Sequence, residues 1–90
     1  MSAAHLVVLY HAPKDPAAFE KYYAANHLPL VTKHAKEIGI THVVLVKFAP
    51  NSAFYRKGEL TFASTEALNK GMSTLGFKAV ADDIAEAARL

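Results

Sequence analysis

The 90-residue sequence contains no cysteine and no tryptophan. Without cysteine it can form no disulfide framework, no thiolate nucleophile and no cysteine-based zinc site. Long apolar runs are also missing, because no stretch approaches the roughly 18 residues that a transmembrane helix needs. The apolar run at residues 6–10 is too short for the core of a signal peptide and has no basic start before it. We therefore expect a cytoplasmic protein with no membrane partner.

An excess of charge of one sign is absent as well. Ten lysine and arginine residues stand against eight aspartate and glutamate residues, and the net charge is +2. The cations are spread along the chain, and Arg56-Lys57 is their one adjacent pair. Neighbours in a strand point to opposite faces, whereas nucleic-acid binding needs cations concentrated on one face. The sequence therefore argues against a nucleic-acid partner.

Hydrophobic residues, in contrast, make up 52% of the sequence. A chain of 90 residues has the length of one domain, so we expect residues 1–90 to form a single domain. A domain of this size buries only about 60–65% of the surface of its unfolded chain, so its own core is thin. Apolar surface that such a core cannot hold is typically covered by another chain. The composition therefore favours a homo-oligomer.

Periodicity and turn residues predict a strand, a helix, two strands and a final helical region. The first helix begins at Asp15-Pro16, since aspartate is a good N-cap and proline fits the first helical position. Pro29 predicts a break near His27-Leu28, and Gly39 predicts a C-terminal cap. The predicted elements are a strand over residues 4–10, helical segments over 16–25 and 30–37, strands over 40–49 and 53–62, a helix capped by Ser64 or Thr65 and broken at Gly76, and a last helix over 78–89.

This order is the α+β, ferredoxin-like βαββα(β) plan with its final strand absent, in which helices cover one face of an antiparallel sheet. We place the second strand at the centre of the sheet. It is apolar on both faces, with Val44, Val46 and Phe48 on one side and Val43 and Leu45 on the other. A face exposed to water would alternate apolar with polar residues. We therefore expect a homodimer in which two sheets pair as a dimeric α+β barrel, with a cavity between sheet and helices.

His27 is the leading candidate for chemistry. It lies four residues after Tyr23, where side chains share a helix face, and next to the predicted helix break. The two side chains could reach one point, with His27 as the catalytic acid or base. The alternative is structural: His27 would cap the last carbonyls of the helix, and Tyr23 would pack in the core.

Four further residues are candidates for ligand binding in the same pocket. Tyr10 ends the first strand, His42 lies near the start of the second, and Tyr55 and Glu59 share the polar face of the third. Together they would supply a mostly apolar cavity with a few polar groups that orient a ligand. Each also has a structural interpretation: Tyr10 as a packed strand end, His42 as a half-buried strand residue, and Glu59 as the partner of a lysine across the hairpin.

Motifs for other chemistry are absent. The sequence has no H-E-x-x-H or H-x-x-x-H, no P-loop, no G-x-G-x-x-G and no G-x-S-x-G. We therefore predict no metal site, no bound cofactor and no nucleophilic triad. The sequence leaves open whether flavin or haem takes part.

The segment LYHAPKDPAAFEKYYAANHLPLVTK, residues 9–33, resembles the EthD family, named for ethyl tert-butyl ether degradation. Members have a strand ending in Leu-Tyr, a turn with Pro and Asp, and then Phe-x-x-Tyr-Tyr-x-x-x-His-x-Pro-Leu. Phe19, Tyr22, Tyr23, His27, Pro29 and Leu30 fill those places. The later segment FKAVADDIAEA, residues 77–87, is similar to the Ala-Asp-Ile helix of the family.

The resemblance implies a dimeric α+β barrel. Proteins of similar fold are cofactor-free monooxygenases, aromatic polyketide cyclases, isomerases and ligand-binding proteins, so the fold does not choose among these functions. Family members usually have a strand after the Ala-Asp-Ile helix, whereas this sequence ends at Leu90. Without this strand, the edge of the barrel would differ from that of other family members.

Two functions are compatible with the sequence. In the first, the protein is a small cofactor-independent oxidoreductase or degradation accessory that acts on a small apolar or aromatic compound, with His27 as acid or base and tyrosines orienting the ligand. In the second, it is a non-catalytic dimeric stress or ligand-binding module whose pocket residues are structural. A cavity that contains His27 and a tyrosine hydroxyl favours the first, and a filled interior with His27 bonded to backbone carbonyls favours the second.

Overall fold

Three strands and four helices make up residues 2–90, the part of the chain that the computed structural model describes. The strands are β1 (Ala4–Tyr10), β2 (Ile40–Lys47) and β3 (Arg56–Phe62), and the helices are α1 (Pro16–Tyr22), α2 (Leu28–Ile38), α3 (Thr65–Met72) and α4 (Leu75–Ala88). A π-helical turn, Tyr23–His27, joins α1 directly to α2. No helix in this part of the chain is both long enough and apolar enough to cross a membrane.

All three strands lie in one antiparallel sheet with the order β1-β3-β2. Val8 of β1 and Leu45 of β2 both lie opposite Gly58 of β3. The central strand is therefore β3, and the expectation that β2 is central is wrong. The reason is connectivity, because the helical crossover leaves room for one strand between β1 and β2, and the β2–β3 hairpin turns back into that gap. The ferredoxin-like α+β fold itself is confirmed.

The core between the sheet and the helices has two halves. Alternate side chains of each strand point toward the helices. One half surrounds Ile38 and Phe62, which are at most 1% exposed. The other half is aromatic and contains Tyr10, Phe19 and Tyr23. The candidate site lies in this aromatic half.

Local capping signals decide where the first helical region starts and ends. The Asp15 carboxylate accepts a hydrogen bond from the N–H of Ala18 at 3.1 Å, and Pro16 takes the first helical position. Gly39 follows α2 with a φ of 92°, a left-handed conformation that glycine adopts without steric cost. These predictions are confirmed.

Pro29 widens the helix and does not break it. The helical backbone continues from α1 through the π turn into α2, and the N–H of Leu28 donates to the carbonyl of Tyr23, five residues earlier. A proline ring clashes with the carbonyl four residues before it in a regular α-helix, and the wider turn relieves that clash. The predicted break near His27-Leu28 is therefore corrected to a π turn within one continuous helix.

The second half of the chain begins its helices with side-chain caps. Ser64 caps α3 and Thr74 caps α4, each by accepting a hydrogen bond at 3.1 Å from the N–H three residues later. Gly76, which we expected to separate the two helices, lies in the first turn of α4, because α3 already ends at Met72. β2 and β3 are shorter than predicted, since residues 48–55 form the connection between them.

The outer face of the sheet, which points away from the helices, carries apolar side chains on both sides of a polar centre. β1 contributes Val7 and Leu9, β2 contributes Val44 and Val46, and β3 contributes Lys57, Glu59 and Thr61 between them. Val7, Leu9 and Val44 are each at least 40% exposed. A single copy of the chain therefore leaves two apolar bands open on this face.

Candidate functional site

Three aromatic rings stack along the inner face of the first helical region. Phe19, Tyr23 and His27 follow one another at four-residue spacing, and their ring centroids are 5.4 Å and 5.5 Å apart. The ring planes are inclined by only 17° and 24°. All three side chains are buried, and His27 is 5% exposed. The helix thus holds an imidazole at the end of an aromatic column inside the protein.

Asp83 of α4 binds this imidazole. Nδ1 of His27 lies 2.9 Å from Oδ2 of Asp83, and the Tyr22 hydroxyl donates to Oδ1 of the same carboxylate. The side chains of His27 and Asp83 are 7% and 14% exposed. The hydrogen bond to Asp83 raises the pKa of the Tyr22 hydroxyl, so Tyr22 stays protonated and keeps donating. One carboxylate therefore receives two donors from the first helical region.

The contact with Asp83 decides which nitrogen of His27 is left for a ligand. An ionised carboxylate only accepts hydrogen bonds, so we assign the proton of the neutral ring to Nδ1. Nε2 then holds a lone pair that can accept a proton. A histidine that bonds a carboxylate through one ring nitrogen and also lines a pocket is suited to general acid–base chemistry.

Tyr10 lies beside this column on the sheet. Its ring is edge-on to those of Phe19 and Tyr23, with centroids 5.3 Å and 5.8 Å away. The residue is 4% exposed, and within residues 2–90 its buried hydroxyl has no hydrogen-bond partner. Burial, with smaller contributions from Tyr23 and Asp83, raises the pKa of the Tyr10 hydroxyl well above its ordinary value. The hydroxyl therefore stays protonated and is a donor that lacks an acceptor.

An ion pair between β3 and α1 holds Tyr23 from another side. The Arg56 guanidinium lies 4.9 Å from the Tyr23 ring centroid and donates to both carboxylate oxygens of Glu20, at 2.9 Å and 2.6 Å. The hydrogen bonds of the pair raise the pKa of Arg56 and lower the pKa of Glu20, so both groups remain charged. Cation–π contact and ion pairing together orient the Tyr23 ring.

A small cavity, the inner pocket, lies between the sheet and the helices at these residues. Its polar lining is His27, Tyr10 and Tyr23, and the remaining lining positions are apolar. Four of the apolar residues, Leu28, Val31, Val43 and Leu45, also line an outer groove between α2 and β2. The inner pocket offers about 30 Å³ of room and the outer groove about 320 Å³. The inner pocket therefore has room for one or two water molecules or for one functional group, and a larger ligand extends into the outer groove.

The structure brings Tyr10, Tyr23 and His27 together, as expected from the sequence, but His42 and Glu59 lie elsewhere. Both are on the outer face of the sheet, because alternation along β3 turns Glu59 away from the helices, and the register shift at the start of β2 places His42 opposite Thr61. The expectation of one pocket shared by all these residues is corrected in this respect.

Tyr55 is also outside the inner pocket. It precedes β3, and its ring packs edge-on against Phe19 with centroids 5.5 Å apart. Its position is fixed by the backbone hydrogen bond from its N–H to the Tyr10 carbonyl, at 2.7 Å. Tyr55 therefore packs against Phe19 and contributes to the aromatic half of the core, not to the inner pocket.

Asp83, Tyr22 and Arg56 complete the site, and none of them is among the functional residues predicted from the sequence. A signal existed for Asp83, because it lies three residues after Val80 and four before Ala87, on the buried stripe of α4. A carboxylate on an apolar stripe indicates a buried hydrogen-bonding partner. Tyr22 occupies a position of the EthD motif, but the motif does not indicate its partner. Nothing local marks Arg56, and both residues find their partners on a different element.

Comparisons with known proteins agree with this architecture. The family model for the EthD domain matches residues 11–88. A crystal structure of an ethyl tert-butyl ether degradation (EthD) family protein from Bacillus halodurans C-125 is similar, with a TM-score of 0.83 and 29% sequence identity over 96% of this chain and 86% of that chain. No curated protein sequence matches significantly. The resemblance read from residues 9–33 is confirmed, and the chain belongs to the EthD family.

Proposed function

We propose that this EthD-family protein binds a small apolar or aromatic compound between its sheet and its helices, with His27 as the acid or base. The observation that carries the proposal is the geometry of His27. It is buried, its Nδ1 is bonded to the Asp83 carboxylate, and it lines a pocket whose other polar groups are two phenols. Mostly apolar pockets with a few oriented polar groups are typical of small-molecule sites.

The proposed chemistry is proton transfer without a bound cofactor. Nε2 of His27 takes a proton from an acidic O–H or C–H group of the ligand, and the bond electrons stay on the ligand. Asp83 stabilises the imidazolium that results, and Tyr22 holds the carboxylate in place. The same imidazolium can return the proton to another ligand atom. This step changes no oxidation state, so a degradation accessory needs the proton transfer alone. In a cofactor-independent oxidoreductase, the deprotonated ligand would then pass its electrons to molecular oxygen as the oxidant. The similar protein of known structure carries ethyl tert-butyl ether in its family name.

A homodimer is part of the proposal. Support comes from the open apolar bands of the outer face, where Val7, Leu9 and Val44 are exposed on a sheet whose other face is covered by helices. A second copy of the chain would cover these bands by facing its own sheet to this one. The helical side, with the inner pocket, then stays accessible in each protomer.

Replacing His27 by alanine tests the proposal. The His27→Ala variant should lose turnover and weaken the binding of small aromatic compounds that shift the amide resonances of the pocket residues Gly58 and Leu60 in NMR spectra. His11→Ala is the matched control, because His11 is exposed and lies outside the inner pocket. Turnover and ligand binding that survive intact in His27→Ala would contradict the role of His27.

Replacing Asp83 tests the orientation of the ring separately. In the wild type, the ¹⁵N shifts of the His27 imidazole should show a proton on Nδ1. In Asp83→Asn the carboxylate is gone, so the tautomer protonated at Nε2 should become populated, and proton abstraction should slow by about 10²–10⁴-fold. Unchanged ¹⁵N shifts in Asp83→Asn would exclude Asp83 as the orienting group.

A non-catalytic binding module is the second candidate. The observation that favours it is the small room in the inner pocket, about 30 Å³ in one chain. Two ordinary structural roles would then explain the geometry of the site: His27 and Asp83 would bridge two helices, and Tyr23 would fill the core. A structure of the dimer soaked with a small aromatic ligand distinguishes the candidates, since only the first requires the ligand to contact Nε2 of His27.

A further inference from the structure

The Tyr10 hydroxyl is the one buried side-chain oxygen or nitrogen atom in residues 2–90 that has no hydrogen-bond partner. A buried hydroxyl without a partner loses its bond to water and gains nothing in return, so native proteins rarely keep one. The same residue lines the inner pocket together with Tyr23 and His27. An unpaired hydrogen-bond donor in a cavity of this kind indicates a ligand that supplies a hydrogen-bond acceptor.

We infer that the inner pocket accepts the oxygen of a carbonyl, ether or similar acceptor group, with the Tyr10 hydroxyl as its hydrogen-bond donor. The inference rests on the proposed function and adds the class of ligand: a small apolar or aromatic molecule with an acceptor oxygen at its inner end. The roughly 30 Å³ of the inner pocket has room for that oxygen and its carbon atom.

The apolar body of the ligand lies in the outer groove. Inner pocket and outer groove share Leu28, Val31, Val43 and Leu45, so one molecule can pass from one to the other without crossing a polar barrier. Val43 and Leu45 are 40% and 41% exposed, although their side chains are on the helix side of the sheet. A ring placed against them would remove this apolar surface from water.

The Tyr10 hydroxyl donates and does not ionise in this role. The Tyr10 ring contacts those of Tyr23 and Phe19, and the Asp83 carboxylate that bonds His27 acts on the hydroxyl through its negative charge. Negative charge nearby and the loss of water both favour the neutral phenol. A ligand donor such as an ammonium group would leave the hydroxyl proton without an acceptor, whereas an acceptor oxygen pairs it.

Two ligands of nearly equal shape test the inference. Acetophenone has a carbonyl oxygen where α-methylstyrene has a methylene group, so only acetophenone can accept a hydrogen bond from Tyr10. Both are titrated into the ¹⁵N-labelled full chain, wild type and Tyr10→Phe, and the dissociation constants come from the amide shifts of Gly58 and Leu60. We expect Tyr10→Phe to weaken acetophenone binding about tenfold relative to α-methylstyrene.

Tyr55→Phe is the matched control, because it also removes a phenol hydroxyl from the aromatic half of the core but not from the inner pocket. It should change the affinity of neither ligand. A measurement on the wild type alone gives a second test. The carbonyl ¹³C resonance of labelled acetophenone should move downfield on binding, as expected for an oxygen that accepts a hydrogen bond.

The outcomes separate the inference from the proposed function. If Tyr10→Phe changes both affinities by the same factor, or the carbonyl ¹³C shift stays that of the free ligand, the donor role of Tyr10 is overturned and the binding pocket stands. The donor role is also overturned if a water molecule stays hydrogen-bonded to the Tyr10 hydroxyl and the affinity for acetophenone does not depend on that hydroxyl. If neither ligand shifts the pocket amides of the wild type, the inference falls, and ligand binding at this pocket falls with it.

Discussion

At the scale of single residues, side chains that are far apart in sequence share one carboxylate. Asp83 is 56 positions from His27 and 61 from Tyr22, and it binds both. Each hydrogen bond joins α4 to the first helical region, so the orientation of the imidazole depends on how two helices pack. The residues of greatest chemical interest are thus held by tertiary contacts and not by their own helix.

The unpaired Tyr10 hydroxyl predicts a gain in stability on its removal. Tyr10→Phe keeps the ring contacts with Phe19 and Tyr23 and removes a buried polar atom without a partner. We expect the free energy of unfolding in urea to rise by about 1 kcal/mol, because a buried unsatisfied group costs about 1–3 kcal/mol. A loss of more than 1 kcal/mol would show that the hydroxyl has a partner, such as a bound water, in the folded protein.

Gly71 permits the close approach of α3 to the end of α2. A Cβ atom at this position would overlap the carbonyl oxygen of Ile38 and lie 3.0 Å from Cε2 of Phe62. Because a backbone atom cannot move aside, we expect Gly71→Ala to lower the free energy of unfolding by about 1–3 kcal/mol. Gly58→Ala is the control, since a Cβ there meets nothing closer than 3.9 Å. Equal stabilities of the two variants in urea would contradict this packing.

At the scale of elements, one helix caps another through a side chain. The Glu37 carboxylate at the end of α2 accepts a hydrogen bond from the Gly76 N–H in the first turn of α4, at 2.7 Å. The N-terminal N–H groups of a helix have no partner within it, and they favour a negative charge. A Cβ at Gly76 would lie 2.8 Å from this carboxylate, so glycine is what allows the contact. The contact joins the C-terminal end of α2 to the N-terminal end of α4.

The cap makes stability depend on pH in a defined direction. The Gly76 N–H and then His34 lower the pKa of Glu37 below 4.5 in the folded state. Its contribution is therefore present above pH 4.5 and is lost as the pH falls through the lowered value. We expect Glu37→Gln to have a lower Tm than the wild type at pH 7, and the difference to shrink toward pH 3.

Calorimetry at both pH values checks this prediction. Glu86→Gln is the control, because Glu86 is exposed and makes only a surface ion pair with Arg89. A Tm difference for Glu37→Gln that persists unchanged at pH 3 would show that the ionised carboxylate is not the source of the effect.

The π turn is the other feature at this scale. It brings Tyr23 and His27 to the same side of the helix as Phe19 while the chain continues into α2 past Pro29. Wider turns of this kind often occur at functional sites. Proline disrupts regular helical hydrogen bonding, which the sequence shows, but whether the helix breaks or widens depends on what the flanking segments pack against.

At the scale of the whole molecule, the outer face of the sheet predicts a dimer. We expect wild-type protein at micromolar concentration to sediment at twice the 9.8 kDa mass of one chain. In Val44→Lys the new cation lies opposite Glu59 within the same protomer, so the sheet should remain folded. The apolar contact with a second copy of the chain should be lost. We expect this variant to shift toward the mass of one chain.

Ala85→Lys is the matched control for sedimentation, because Ala85 is exposed on α4 in the helical layer, away from the outer face. It should sediment like the wild type. Wild-type protein that remains a single protomer at micromolar concentration would overturn the dimer, and the apolar bands of the outer face would then face water.

Much of the fold follows from local patterns in the sequence. Strand β1, the helix start at Asp15-Pro16, the left-handed Gly39 and the Ser64 cap each depend on a few neighbouring residues, and their positions are confirmed. The ferredoxin-like fold and the EthD family follow from the order of elements and from residues 9–33, and both are confirmed. Local preferences and fixed motif spacing are properties that a sequence displays directly.

The contacts of the candidate site are what local patterns in the sequence do not predict. Spacing along one helix placed Tyr23 and His27 together, but it could not supply Asp83 as their partner. Alternation along β3 identified the faces of the strand, but only the β1-β3-β2 order decides which face the helices cover, and this turned Glu59 away from the pocket. The sequence by itself determined which segments become strands and helices, apart from the π turn at Tyr23–His27. The tertiary structure decided which side chains meet, because burial and long-range hydrogen bonds exist only after the segments have packed.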